Sequence, residues 1–157
     1  MKRNPFRRLL ARLRRCEGAN LLEAAIVTPL ILILTIGMIE FASIFYVFLA
    51  LQNGVSQATR FGVTGATVGT GSRVDSIKTA MRQATPTLTI PDNAFTFSHM
   101  PEGGTTWVGG TGGPNAIERV SVAYTWTFFT PVMQPFFPSG RMTLNVDATM
   151  KNEGRWE

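Results

Sequence analysis

GANLLEAAIVTPLILILTIGMIEFASIFYVFLAL, residues Gly18 to Leu51, is the stretch on which the reading of this chain turns. From Ala24 to its end it carries one formal charge, Glu40. A bilayer core of ~30 Å is crossed by ~20 helical residues, so the run is long enough to span a membrane. The residues that lead into it, MKRNPFRRLLARLRRCEG (Met1 to Gly18), set Lys2, Arg3, Arg7, Arg8, Arg12, Arg14 and Arg15 against Glu17 alone. That is +6 in a chain whose net charge is +5, so everything after Gly18 sums to −1. The basic character belongs to a short tail.

Basic residues beside a span stay on the cytoplasmic side. The expected orientation is therefore N-terminus in, with the larger C-terminal part outside. Nucleic-acid binding is not expected, because the downstream part has no basic surplus and no interleaving of basic and aromatic residues. A cleaved secretory signal has its parts in another order: a basic start, an apolar core of 7–15 residues, then a small-residue cleavage site. Here the small pair Gly18-Ala19 precedes the apolar run, and no clean A-x-A site follows it. Cys16 follows Arg14 and Arg15 rather than an apolar segment, so it is not read as a lipoprotein cysteine. The apolar helix is expected to remain in the mature protein.

A basic leader ending in Gly18, then Ala19-Asn20-Leu21-Leu22-Glu23 with the glutamate fifth after the glycine, resembles the processing motif of type IV pilin-like proteins. The continuation resembles the N-terminal segment of TadE-like pseudopilins (minor pilins) of the tight-adherence, or Flp, pilus. The residues that carry this are Pro29-Leu30, Ile39-Glu40-Phe41, Leu51-Gln52-Asn53 and Ala58-Thr59-Arg60, within roughly Gly18 to Gly65. One departure is Ala24, which follows the glutamate where related Flp pilins and many TadE-like proteins carry Phe or Tyr. The resemblance implies cleavage between Gly18 and Ala19 by a prepilin peptidase, and assembly with other pilin or pseudopilin subunits at the bacterial inner membrane. It also implies a role for Glu23 as part of the processed motif and, after cleavage, as partner of a neighbouring subunit's N-terminal ammonium.

The residues themselves leave alternatives open. An ionised carboxylate at bilayer depth costs on the order of 2.5–3.5 kcal/mol. Glu23 lies only ~6 Å along a helix from Ala19, so it either sits at headgroup level near a helix N-terminus, where negative charge is favoured, or takes the processing and assembly role. Glu40 falls ~31 Å from Ala19: it marks the exit from the membrane or meets another subunit's helix. Phe41, Phe45 and Phe48 form one stripe at i, i+4, i+7, suited to packing on the protein's own domain or on helical partners. Pro29 is expected to loosen the span locally, and Gly37 to allow close approach of another helix.

Beyond the span, Val55, Ala58, Phe61 and Gly62 alternate with polar residues at helical spacing, and glycines at 62, 65, 69 and 71 end the helix. A second helix is expected from Ser72 to Ala84, opened by the Ser72/Asp75 capping box and stopped at Thr85-Pro86. Period-2 alternation in Phe95–Phe97, Val120–Phe128 and Met142–Met150 predicts half-buried antiparallel strands. The expected fold is α+β and pilin-like: a long N-terminal transmembrane and spine helix, a short second helix, and a three- to four-stranded antiparallel sheet. The expected segments are a leader over 1–18, a transmembrane and assembly helix over 19–51, and an external domain over 52–157. Gly103 to Gly113 reads as a flexible hairpin loop with Trp107 at its tip, since it lacks the G-K-[ST] of a phosphate cradle. Pro131 to Pro138 is proline-broken and apolar; it packs over the sheet or faces a partner.

Nothing in the sequence points to catalysis. His99 is the only histidine and Cys16 the only cysteine, so no Cys/His metal site or disulfide framework arises outside the membrane. The acidic residues show no calcium-loop spacing. No cofactor and no metal are expected. Two functions from different classes stand at this point. One is a pseudopilin trimmed after Gly18 and assembled through its apolar helix, serving in pilus assembly, capping or adhesion. The other, favoured by Ala24, is a permanently anchored single-pass protein with an envelope-facing binding domain.

Overall fold

The computed structural model describes residues 17–156, with side chains from Gly18 onward. The basic leader, with Cys16, lies outside the described residues apart from its last two. The chain divides into two compact units, Met1–Glu40 and Phe41–Glu157. Helix α1 (Glu17–Val63) contributes its first part to one and its remainder to the other.

In the first unit, every described residue from Gly18 to Thr35 is exposed. Leucine, isoleucine and valine dominate that surface. The Thr35 hydroxyl spends its hydrogen bond on the Ile31 carbonyl, 2.8 Å away, which lets a threonine sit in an apolar helix without an unmet donor. Pro29 lies inside the helix, which continues through it.

In the second unit the same helix changes character. Val47, Leu51, Val55 and Ala58 are buried at helical spacing, one apolar stripe facing a core. Helix α2 (Arg73–Ala84) runs back along it. A Cβ on Gly62 would lie 3.1 Å from Ile77, and one on Gly54 would lie 2.5 Å from Thr85. Further along, the Tyr46 and Thr87 hydroxyls are 3.5 Å apart. Ser72 caps α2 as its sequence predicts: its Oγ accepts from the Asp75 amide at 3.2 Å and donates to the Asp75 carboxylate at 2.6 Å.

The sheet covers the other side of the core. Its strands are β1 (Phe95–Met100), β2 (Val108–Gly109), β3 (Ile117–Thr127) and β4 (Arg141–Lys151), in the order β2-β1-β3-β4 with every pairing antiparallel. Phe95 pairs with Val122 and Val122 with Val146, so the inward residues of three strands meet in one row. These residues join α1 and α2 in a single cluster with Trp126 and Leu144. The expected α+β fold with a three- to four-stranded antiparallel sheet is thus what the described residues form, with four strands. Within the glycine-rich stretch, Val108-Gly109 supplies a strand where a loop was expected. The Trp107 ring before it lies 3.8 Å from the Arg119 guanidinium.

Candidate functional site

The candidate site is the exposed apolar part of α1. Leu21, Leu22, Ile26, Val27, Leu30, Ile31, Leu32, Ile33, Leu34, Met38 and Ile39 are all at least 41% exposed. Burying one such side chain is worth about 1.5–3 kcal/mol. With little more than half of each side chain exposed, eleven of them forgo roughly 10–20 kcal/mol in water, as much as the whole stability of an ordinary domain. A surface of that kind has a solvent other than water, either lipid or neighbouring helices. The helix is long and apolar enough to cross a membrane, with a mean hydropathy of 2.3 in its best window.

The residues singled out in the sequence fall along this helix in distinct settings. Gly18 and Ala19 are exposed at the start of the helix, and among the described residues nothing lies within 4 Å of where a Gly18 Cβ would be. Glu23 is exposed one turn after Ala19, on the same face. Gly37 is half-buried, and Glu40 is buried to 2% exposure. The phenylalanine stripe divides: Phe41 and Phe45 are exposed, whereas Phe48 packs against the core of the second unit. Of the two roles weighed for the stripe, Phe48 takes the one of packing on the protein's own domain.

At the far end of α1 the structure shows a polar cluster that the sequence did not announce. Arg73, first residue of α2, donates to the carbonyls of Gly62 and Gly112 and to the Glu118 carboxylate. Glu118 is fully buried, and the Trp156 ring lies 4.2 Å from the Arg73 guanidinium on another side. The last carbonyls of a helix lack intrahelical donors. Here the Gly62 carbonyl receives Arg73 at 2.7 Å, and Val63 receives the Glu153 amide at 3.0 Å and the Trp156 indole at 3.2 Å. Gly65, at φ +69°, leaves no room for a Cβ beneath Trp156. Burial pushes the Glu118 carboxyl above the usual carboxylate range, against the opposing pull of Arg73, Asn152 and His99. Burial likewise lowers the Arg73 guanidinium, and Glu118 resists that. Through Arg73 the start of α2 is tied to the end of α1, to the loop at Gly112 and to β3. His99 stands opposite Glu118 on β1, its Nδ1 3.0 Å from the Gly110 carbonyl. The missed signal was phase: Glu118 shares parity with Val120, Val122 and Trp126, a charge on the inward side of an alternation.

Among the described residues, no three of His, Cys, Asp or Glu gather as a metal ion would need. The fold and this helix define a class: an α+β unit joined to a helix fit for a membrane. Residues 18–60 match the family model described as TadE-like protein, and the resemblance drawn from the sequence holds over that segment. No curated protein and no solved structure matches the chain. The family suggests a protein associated with the tight-adherence pilus, and the candidate membrane helix fits a membrane-anchored one.

Proposed function

We propose that the chain is a minor pseudopilin of a tight-adherence pilus, inserted with its N-terminus in the cytoplasm of a bacterium and anchored in the inner membrane by α1. A prepilin peptidase removes the leader after Gly18. The exposed apolar helix then transfers from lipid into contact with the helices of other pilin or pseudopilin subunits, where the protein serves in assembly, capping or adhesion. Its role is structural, without an enzymatic activity. The observation that carries this reading is an overlap: the family match over residues 18–60 takes in the whole exposed apolar surface of α1 from Leu21 to Ile39.

Within this reading Glu23 has a physical task. After cleavage, the Ala19 ammonium and the Glu23 carboxylate of adjacent subunits form an ion pair in a low-dielectric setting, where such attraction is strong and sets axial register. Intact-mass measurement of the protein expressed with and without a cognate prepilin peptidase is the test. Loss of residues 1–18 only when the peptidase is active is the expected result. A leader retained beside an active peptidase overturns the pseudopilin reading and favours the second one, a permanently anchored protein with an envelope-facing binding domain. Ala24, in the place of an aromatic, is the observation on that side.

A further inference from the structure

The turn between β3 and β4, FFTPVMQPFFPSG (Phe128–Gly140), contains no charged residue. It is held by its own contacts. Phe128, 4% exposed, stacks on Phe137 with ring centroids 4.2 Å apart, and the Gln134 amide donates to the Phe128 carbonyl at 3.3 Å. With those two rings turned in, Phe129, Val132 and Phe136 are turned out, at 68%, 41% and 75% exposure. Within the proline-broken stretch Phe137 packs back on Phe128, while Val132 and Phe136 do not turn in; Phe129, just before it, sets one edge against Trp126, 4.9 Å between centroids, and keeps the rest of its ring outward. An ordered turn that holds apolar side chains outward marks an interaction surface.

Its position in the second unit identifies what covers it. The start of β3 is level with the C-terminal end of α1, since a Cβ on Gly62 would lie 3.7 Å from the Glu118 carboxylate. β3 then runs away from that end, and Trp126 near its close shares one core with Val47. Ten residues of strand advance about 33 Å. That length, even shortened by a tilt, corresponds to about 17–22 residues of helix. Counted back from Gly62, it reaches the first residues of the unit, where Phe41 and Phe45 are also exposed. The apolar turn and the helix's point of arrival therefore share one end of the unit.

We infer that this turn rests on the lipid bilayer, with Phe129, Val132 and Phe136 at the boundary between headgroups and acyl chains and the exposed Arg141 among the lipid phosphates. The inference rests on the reading of α1 as a membrane helix. Residues 18–40 measure about 34 Å as a helix, close to the hydrocarbon thickness, so the chain leaves the membrane where the second unit begins. Aromatic side chains favour that interface. An uncharged surface followed by a single arginine has the chemistry of a lipid surface, with the cation placed to meet anionic headgroups.

The test uses the full chain with Cys16→Ser, reconstituted in vesicles of phosphatidylethanolamine and phosphatidylglycerol. Single cysteines carrying an environment-sensitive fluorophore are placed by Phe136→Cys, Ile31→Cys and Ala66→Cys. The expected result is a blue-shifted emission at position 136, quenched by nitroxide-headgroup lipid, together with a lipid-shielded label at 31 and an aqueous one at 66. An aqueous label at 136 beside a shielded one at 31 overturns the inference and leaves the membrane helix standing. An aqueous label at 31 as well overturns the membrane reading itself. A blue shift at 136 without quenching by the lipid nitroxide means that protein covers the turn, and overturns the inference too. Circular dichroism of each labelled protein confirms that the fold is kept.

Discussion

Leu30 and Leu51 are the same residue type on the same helix, yet one is 57% exposed and the other fully buried. Hydropathy does not separate them, because both lie in one apolar run. What separates them is the chain that follows. After Leu51 come α2 and the sheet, which fold back over Val47 to Ala58 and give that part of α1 a protein interior. Residues before Glu40 have no such cover within their own unit. The difference teaches that α1 is built for two solvents. The stripe from Val47 to Ala58 finds a protein interior on folding, and the first part keeps a surface suited to lipid.

The largest effect expected from breaking that contrast is on membrane attachment. Ile31→Arg with Leu34→Arg places two charges in the exposed apolar surface, at about 2.5–3.5 kcal/mol each by insertion scales. The doubly substituted protein should leave the alkali-resistant membrane fraction, while the thermal unfolding of the second unit stays where it was. A variant that remains in the membrane shows that this surface is not its anchor.

Next in size comes the buried pair that closes the other end of α1. Glu118→Ala leaves the Arg73 guanidinium without its carboxylate in a site where the side chain is 12% exposed, and losing one partner of a buried pair costs about 3–5 kcal/mol. Denaturant unfolding should show that loss without any change in membrane attachment. The pair also has a pH signature. The folded state raises the Glu118 carboxyl from its ordinary 4.5, so it binds the proton more tightly than the unfolded chain does. Its contribution to stability is full below that ordinary value and is lost as pH rises through the raised one. Glu118→Gln should remove that decline from the stability–pH curve. If the slope persists in the variant, it comes from another group.

The two leucines supply the most direct comparison. Leu51→Ala empties a fully buried position and should cost about 2–5 kcal/mol. Leu30→Ala, read in the same detergent by the same thermal melt, should change the stability of the second unit by less than about 0.5 kcal/mol. Equal effects would mean that both leucines belong to one folding unit.

The helices and strands were legible where local physics sets them. The Ser72/Asp75 box, the glycines after α1 and the alternation of β3 and β4 each predicted the element that formed. The resemblance of the segment after Gly18 was legible too, because it is carried by contiguous residues, and the family match covers residues 18–60. The Arg73–Glu118 pair was not, since its members are 45 residues apart and only the packing of α2 beneath β3 brings them together. Phase still carried a trace of it. Counting β3 from Glu118 rather than Val120 puts a carboxylate among inward residues, and counting β4 on to the buried Asn152 does the same with an amide, whose Nδ2 donates to the Gly112 and Gly113 carbonyls at 3.2 and 2.9 Å. The division of the Phe41, Phe45, Phe48 stripe lay beyond any periodicity, because it depends on how far along α1 the sheet reaches.

The smallest expected effect tests whether the two parts of α1 can be disturbed independently. Ser72→Ala removes the side chain that caps α2, a change worth about 1 kcal/mol. Arg73 is the next residue, and its donation to the Gly62 carbonyl ties the start of α2 to the end of α1. A frayed α2 start therefore loosens the closure of α1 as well as its own first turn. The melting temperature of the second unit should fall by a few degrees. Amide exchange should quicken at Asp75 and Ser76, whose backbone donors the Ser72 side chain and carbonyl now hold. Exchange in residues 18–40 should not change. Faster exchange there as well would mean that α1 transmits the disturbance along its length, and that its two parts, unlike in solvent, are coupled in stability.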